Sequence, residues 1–468
     1  MGNKLGIHFP KSYSSFNKGE LVEIKITKED KEKIFLTRFN NTITIRKPTS
    51  EYLNLYQGET IDIELKKINE LEKSKEIFKD NKIDLLALIP ELTSNGYKIF
   101  INNFTKDNED WLRVWYCHKR GSGKQLEIRR FIDINLFGRL LGQLQAEGTK
   151  SGKRFKLEFC NQLIKEHIDY IFYLEGLGIP RNLIICKCDF HPKVKKIINE
   201  KIKNFEVQTG MPVKYIVNSE GGKGSYGFKT FVRNTLLTEI ILNSLDTIRK
   251  KLTEETFDDN LRALADGFFA KLLTGDGTID ITTKNREYNF PEARIKITDG
   301  NLDYLKDYNE IMKKLGFNPH TSEKHISVRS YIGFDKLLYL YEIKAFYNTI
   351  NWKKLIFLIN ENLKGRRLKT LIRFLDFIKS DEIITSKNLA EKYNIKIRVA
   401  NGWLNKKEKE GFFIRVNNSR QVRWDLTEKA KELAYLLGSY KQELTNLNID
   451  TTKDVSQFYL KNNQKLRK

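Results

Sequence analysis

The chain has 468 residues, 40% of them hydrophobic and 12% aromatic, which supplies cores for about two to four domains and argues against wholesale disorder. Lys and Arg number 83 against 60 acids, a formal net charge of +23, so a polyanionic partner is favoured, nucleic acid foremost; a Lys-rich composition inherited from an AT-rich genome is the blander reading. Apolar runs such as Leu85–Pro90 and Leu355–Ile359 are too short to cross a bilayer and no apolar signal segment opens the chain, so a cytoplasmic protein with no membrane partner is expected.

In chain order, residues 1–68 contain a short repeat. Gly19-Glu20-Leu21-Val22-Glu23-Ile24 matches Gly58-Glu59-Thr60-Ile61-Asp62-Ile63, and each copy opens on a strand, Ile7–Phe9 or Thr42–Ile45, followed by a proline. This strand, proline, glycine, acid, strand order resembles the swapped-hairpin barrels of AbrB-type DNA-binding modules; a generic small barrel used for packing stays open beside it. Residues 69–130 form a connecting α/β segment, charged and helical over 69–95, with strands at Tyr97–Asn103 and Trp111–His118. From 131 to 364 two stretches of similar character follow, 131–250 and 251–364, each opened by an apolar helix and continued by strands and helices.

The first of those helices carries Gly138, Gly142 and Ala146 along one stripe, and the second carries Ala270. Mid-helix glycine costs about 1 kcal/mol against alanine, so close helix approach is the reason to keep it. Each helix ends in an acid and a glycine, Glu147-Gly148 and Asp276-Gly277, where the glycine is expected to stop the helix and let the carboxylate project. Lys156–Asn161 parallels Arg294–Asp299, and each leads into a helix that stops at a glycine, Gly178 or Gly316. Cys117 and Cys160 stand alone, and Cys186, Cys188 and His191 lack the second ligand pair of a zinc site. The Gly221, Gly222, Gly224, Gly227 cluster lacks a phosphate-loop ending and reads as a flexible hairpin.

Leu140–Gly148 and Phe269–Gly277 resemble the two LAGLIDADG motifs of the homing-endonuclease family. The resemblance implies an α+β chain with a pseudo-twofold duplicated αββαββα core, flanked here by the small N-terminal β-barrel and a C-terminal winged helix. It implies a monomer that hydrolyses both strands of double-stranded DNA, with Glu147 and Asp276 as catalytic carboxylates holding Mg²⁺ or another divalent cation. It also implies basic residues near the scissile phosphates, for which Lys229 and Lys324 are candidates, and a saddle-shaped sheet surface on which Arg154, Lys156, Arg294 and Lys296 would meet DNA. Lys271 departs from the pattern where Gly142 has its counterpart, Gln145 and Thr274 replace the inner aspartate, and Glu147 is longer than the usual Asp. Self-splicing is not expected, for want of the flanking residues of an intein.

Residues 365–440 read as the winged helix: Leu371, Phe374, Leu375 and Ile378 on a first helix, a second capped by Ser386, a third over Ile397–Lys409, and strands Phe412–Val416 and Val422–Leu426 around an Asn417-Asn418-Ser419 turn. Arg398, Asn401, Lys406 and Lys407 on the third helix, with Arg420 on the wing, suit DNA. Residues 441–468 read as a polar tail. Two other functions fit the same pattern, a non-cleaving LAGLIDADG plus helix-turn-helix transcriptional regulator and an RNA-binding maturase.

Overall fold

The computed structural model describes residues 5–9, 16–40, 42–45, 47–67, 74, 76–118, 121–148, 155–218, 225–282, 292–347, 349–364, 384–416 and 422–447. Within them the chain is mixed α+β, built of many small sheets, and divides into two compact units, Met1–Phe268 and Phe269–Lys468.

Unit 1 begins with β1 (Leu5–His8), β2 (Leu21–Lys28), β3 (Lys31–Arg38), β4 (Thr42–Ile45), α1 (Lys47–Tyr52) and β5 (Asp62–Lys67). β1 pairs with β4, and β2 lies between β3 and β5, so the opening strands of the two sequence copies pair with each other, as do their closing strands. The copies share their turn chemistry. Gly19 and Gly58 have φ of +91° and +89°, a left-handed backbone that glycine adopts without cost. Glu20 accepts from the Asn17 amide and an ion pair from Lys67, while Glu59 accepts from the Tyr56 amide and an ion pair from Lys28. Val22, Ile24, Ile26, Ile43 and Ile45 alternate inward to form one small core.

The charged stretch after it is not the helix expected over 69–95. Residues 68–73 and 75 lie outside the described residues, and the remainder forms a short hairpin, β6 (Phe78–Lys79) and β7 (Lys82–Asp84), with one helical turn, α2 (Leu85–Leu88). The reason is local: Asp80 and Asn81 both take positive φ at the hairpin turn, and Asp84 caps α2. A meander of β8 (Ile99–Lys106), β9 (Glu109–His118) and β10 (Gly121–Arg129) follows, its first turn formed by Asp107 and Asn108, also with positive φ.

Behind β11 (Phe131–Asp133) comes α3 (Ile134–Glu147), capped by Asp133. Then follow β12 (Leu157–Asn161), α4 (Ile164–Gly176), β13 (Ile184–Phe190), α5 (Lys195–Thr209), β14 (Val213–Asn218), β15 (Tyr226–Val232) and α6 (Thr235–Glu254). The sheet order is β12-β15-β13-β14, with β14 parallel to β13. β14 and β15 are not hairpin partners, because β13 lies between them; residues 219–224, within which a flexible hairpin was expected, lie outside the described residues. Leu157 and Phe159, Ile184, Cys186 and Cys188, and Phe228 and Val232 face the core, which leaves the alternate residues on an open face. Burial pushes the Cys186 thiol up and the Cys188 thiol to about 12, so both behave as apolar core residues.

The boundary between the units falls inside α7 (Asp259–Asp276). Unit 2 continues with β16 (Gly277–Thr282), β17 (Glu292–Thr298), α8 (Leu302–Lys314), β18 (Asn318–Ser322), β19 (Ser327–Ile332), α9 (Phe334–Glu342) and α10 (Ile350–Lys364), its antiparallel sheet ordered β16-β17-β19-β18. The first helix expected in the C-terminal region lies outside the described residues. β20 (Ile384–Thr385), α11 (Ser386–Tyr393), α12 (Ile397–Lys409), β21 (Phe413–Arg415), β22 (Arg423–Leu426) and α13 (Glu428–Leu447) complete the unit around Leu389, Leu404, Phe413 and Trp424. The cap of α11 is Thr385 rather than Ser386, its hydroxyl accepting from the Asn388 amide at 3.1 Å. α13 runs to Leu447, past the expected start of a tail at 441, and packs against α9.

Candidate functional site

The glycine stripe does what close helix approach requires. A methyl on Gly138 would lie 3.1 Å from the Phe268 amide nitrogen and 3.3 Å from the Leu264 carbonyl carbon. One on Gly267 would lie at the same distances from Arg139 and Asn135. The two helices thus meet through reciprocal glycines, and Gly142 adds a third contact, against the Phe268 backbone. Gly267 was not among the interface residues read from the sequence, although it stands in α7 where Gly138 stands in α3. Ala270 is fully buried and Ala146 half-buried.

Glu147 ends α3 in unit 1, and Asp276 ends α7 in unit 2. The glycine after each acid has a different use from the one expected. Gly148 has φ −89°, an ordinary extended value, and Gly277 is not in the left-handed region either. Each is needed for space: a Cβ on Gly148 would lie 2.5 Å from the Leu144 carbonyl oxygen and 2.8 Å from its Cα, and one on Gly277 would meet Leu273 at the same distances. Folding back this tightly places Gly148 opposite Phe159, and Gly277 opposite Ile297, at the edge of the respective sheet. In unit 2 the buried Asn351 fixes that edge, accepting from the Ile279 amide at 3.3 Å and donating to the Gly277 carbonyl at 3.2 Å, while Lys354 donates to the Ile279 carbonyl at 2.9 Å.

In unit 1 a cleft of about 590 Å³ is lined by Glu147, Cys160, Asn161, Asp189, Tyr226 and Lys229 among others. The structure therefore brings Glu147 and Lys229 to one place. Lys229 pairs with Asp189 at 2.8 Å, and Lys187 reaches the same carboxylate at 2.7 Å. The hydrogen bond Lys229 donates to Asp189 raises the Lys229 pKa and keeps it an ammonium. Burial alone would push Asp189 up, but the hydrogen bonds from Lys187 and Lys229 outweigh it and hold the carboxyl below its ordinary range. Burial pushes the Cys160 thiol up, which disfavours its thiolate.

Lys156 lies on the open face beside Glu158, with which it pairs, and near Lys187, Tyr215, Phe231 and Arg233. In unit 2, Arg294 and Lys296 project from the open face of β17 between buried Ala293, Ile295 and Ile297. Cross-strand register aligns Thr278, Lys296, Arg329 and His320 in one row and Asp280, Arg294, Tyr331 and Asn318 in the next. Lys324 is not on a strand but on the turn Glu323–His325 between β18 and β19, because the chain must reverse there. Arg154 and Arg420 lie outside the described residues.

On α12, Arg398, Asn401 and Lys406 are exposed. Lys407 is not a free cation for DNA: its side chain is 13% exposed, pairs with Glu410 and lies over the Phe412 ring. Sequence reasoning missed Lys187, Asp189, Arg233 and Arg329. Alternation of Lys187 and Asp189 around buried Cys186 and Cys188 is a signal that would put them on one face of a strand, but only the sheet order brings them beside Lys229.

Glu147 and Asp276 are hard oxygen donors of the kind Mg²⁺ prefers, and that donor chemistry fits a divalent cation. Among the described residues no group of three or more His, Cys, Asp or Glu gathers as a cation cage. No helix among them is long and apolar enough to cross a membrane.

No family model matches the chain. No curated protein matches it. Among solved structures, it is similar to a mutant of I-SmaMI at 10% identity over 51% of this chain and 95% of that one, with a TM-score of 0.27. It is also similar to meganuclease I-SmaMI bound to uncleaveable DNA, at 10% identity over 50% and 93% of the two chains and a TM-score of 0.27. The I-LtrWI LAGLIDADG homing endonuclease bound to target DNA aligns at 13% identity over 52% and 97%, with a TM-score of 0.25. Scores of this size are too loose to transfer a residue's role to this chain.

Proposed function

We propose that the chain is a site-specific, double-strand DNA endonuclease of the LAGLIDADG kind, acting as a monomer. The observation that carries this reading is the matched construction of the two acid-bearing helix ends. In both, an acid is followed by a glycine folded onto the preceding helical turn and set in register with the last part of a strand, at Phe159 two residues and at Ile297 one residue before its end. A core helix that merely stopped at an acid would have no reason to repeat that geometry.

Glu147 and Asp276 would hold divalent metal ions, which supply Lewis-acid stabilisation of the phosphate and a more acidic bound water. Lys229, kept charged by Asp189, faces the same cleft as Glu147 and opposes the negative charge that gathers on a phosphoryl group under attack. Lys156, Arg294, Lys296 and Arg329 present positive charge on the open sheet faces. The elements β20 to α13 follow winged-helix order, and exposed Arg398, Asn401 and Lys406 add a second contact to the target. The AbrB-like reading of the N-terminal strands rests on their matched glycine and glutamate turns.

The test is Mg²⁺-dependent cleavage of duplex DNA made by joining the sequences that flank the gene, with Glu147→Gln and Asp276→Asn alongside. Cut ends lost in both variants sustain the reading. Tight binding by the unaltered chain without cutting refutes it and favours the transcriptional regulator, to which exposed Arg398 and Asn401 on α12 are equally suited; preference for RNA in competition favours the maturase.

A further inference from the structure

The two units share a framework up to one point in the sheet. Gly148 is in register with Phe159 and Gly277 with Ile297. Asn161 and Asp299 each accept from the amide two residues on, and the helices that follow are stopped by left-handed Gly178 and Gly316. β12, β13 and β15 thus correspond to β17, β18 and β19, with β15 between β12 and β13 as β19 is between β17 and β18. The connections then differ. Unit 2 joins β18 to β19 through the single turn Glu323–His325, whereas unit 1 inserts α5 and β14 between β13 and β15. β14 lies outside β13 and parallel to it, an added edge strand with no counterpart among the described residues of unit 2.

The insertion is anchored by its helix and leaves its strand bare. Ile198, Ile202 and Phe205 of α5 are buried, and the Phe205 ring stacks on Phe228 with 4.2 Å between centroids. Gly210 takes φ +65° where the helix stops, and Glu206 accepts from the Val213 amide at 2.8 Å, which fixes where β14 begins. From Lys214 to Asn218, however, every side chain is exposed. A strand kept for packing buries at least one face, so β14 adds surface rather than core. Its register with β13 sets Tyr215 opposite Lys187 and Val217 opposite Asp189, on the open face, and Ile216 opposite buried Cys188 on the other. Phe155, Lys156, Lys187, Tyr215, Phe231 and Arg233 line a hollow of about 530 Å³ there. The Arg233 guanidinium lies 5.5 Å from the Tyr215 ring centroid and 5.4 Å from that of Phe231. The same face carries Lys156, Lys187, Lys229 and Arg233 against Glu158 and Asp189, so the exposed apolar pair sits in a positive surround.

Resting on the reading that the open sheet faces meet DNA, we propose that the α5–β14 insertion gives unit 1 a thymine-reading strip, in which Tyr215 and Val217 pack on 5-methyl groups in the major groove. Exposed apolar side chains on a basic face match a polyanion that itself offers an apolar group. In the major groove the four bases present donors and acceptors, and thymine alone adds a methyl. Tyr215 and Val217 suit that methyl, while Arg233, held over the Tyr215 ring, supplies charge for the phosphates beside it. One strand is about 4.8 Å wide, so the strip spans roughly one to two base-pair steps of about 3.4 Å. Burying one methyl changes affinity by about 4-fold.

The experiment measures affinity in EDTA for the duplex made by joining the flanks of the gene, and for a set in which each thymine in turn is replaced by uracil, which removes only the methyl. The unaltered chain is compared with Tyr215→Ser, Val217→Ser and Ile216→Ser, the last on the opposite face of the same strand, and thermal unfolding confirms that each folds. The expected result is a loss of about 4-fold at one or two thymines with the unaltered chain and with Ile216→Ser. That loss should vanish at one of those thymines in Tyr215→Ser or Val217→Ser. No thymine with such an effect, an effect unchanged in both of those variants, or one lost equally in Ile216→Ser overturns the inference. So does self-association of the chain without DNA that Val217→Ser abolishes, since β14 would then serve a second copy. Mg²⁺-dependent cutting of the parent duplex, followed in parallel, keeps the two readings apart: cutting with no such thymine removes the inference alone, whereas binding without cutting removes the nuclease reading and leaves the uracil set to decide the strip. Failure to bind the duplex removes both.

Discussion

Substituting alanine for glycine has opposite signs at two helical positions of this chain. At Gly142 the new Cβ would overlap the Phe268 carbonyl, lying 2.8 Å from its carbon and 3.0 Å from its Cα. Ordinary contact begins near 3.4 Å, and both partners are helix backbone, so no side chain can turn away to make room. The helices must separate by several tenths of an ångström along a face that also includes Gly138 and Gly267. Overpacking of this kind costs about 1–3 kcal/mol even where side chains can adjust, so about 3 kcal/mol is the expected loss. For a cooperative unit of this size that lowers Tm by roughly 6–12 °C. Gly402, in α12, has nothing within 4 Å of a built Cβ, and Gly402→Ala should stabilise by about 0.5–1 kcal/mol through helix propensity alone. Thermal denaturation of both variants measures the contrast. A Gly142→Ala chain that melts within a degree or two of the parent would refute the packing argument.

Asn351→Ala leaves the Gly277 carbonyl and the Ile279 amide without partners, and should cost about 2–3 kcal/mol and speed amide exchange at Ile279, which hydrogen exchange reads directly. His167 is buried between Thr230 and the Asn161 carbonyl with its pKa lowered by burial to about 4. Since the unfolded chain takes up that proton at higher pH than the folded one, stability is full above about 6.5 and falls as pH drops towards 4, by roughly 3 kcal/mol. Urea midpoints across that window should lose this part of their slope in His167→Gln. DNA affinity should fall about 10³- to 10⁵-fold between roughly 50 and 200 mM salt for about 6–10 phosphate contacts. Arg398→Ala and Lys406→Ala should each reduce the slope by about one, whereas Lys407→Ala, already paired with Glu410, should leave it unchanged. Ending the chain before α13 uncovers the α9 face it packs against, so such a truncation should lower the Tm of unit 2; an unchanged melt would mean the contact contributes nothing.

Local features proved readable from residues because their causes are local. The Ile397–Lys409 helix, the strands at 42–45 and 413–415, and the turns at Gly178 and Gly316 each follow from nearby spacing, caps or backbone freedom. The close approach at Gly138 and Gly142 was legible for a similar reason, since mid-helix glycines have a cost that packing must offset. The surroundings of Lys229 were not. Its partners come from β13, joined to it by pairing across the sheet after the α5 and β14 excursion, and no spacing along the chain encodes that neighbourhood. The 69–95 segment misled because its Lys and Glu content suits a helix, while the residues that decide its shape, Asp80, Asn81 and Asp84, act through turn and cap geometry. Lys407 shows the limit of reading charge as function: its neighbours Glu410 and Phe412 claim it first.

The boundary inside α7 has a consequence for any attempt to divide the chain. The first half of that helix lies against α3 through Gly138, Gly142 and Gly267, and its last turn carries Asp276 into β16. Severing the polypeptide between Glu255 and Asp258, ahead of the helix, would give two fragments, each with one of the two acids, that meet where Gly138, Gly142 and Gly267 bring α3 and α7 together. Most of that seam is helix backbone, with one side-chain bond from Asn135 Nδ2 to the Ala263 carbonyl at 3.2 Å, so co-expressed halves should yield some mixed assemblies that the single covalent chain avoids.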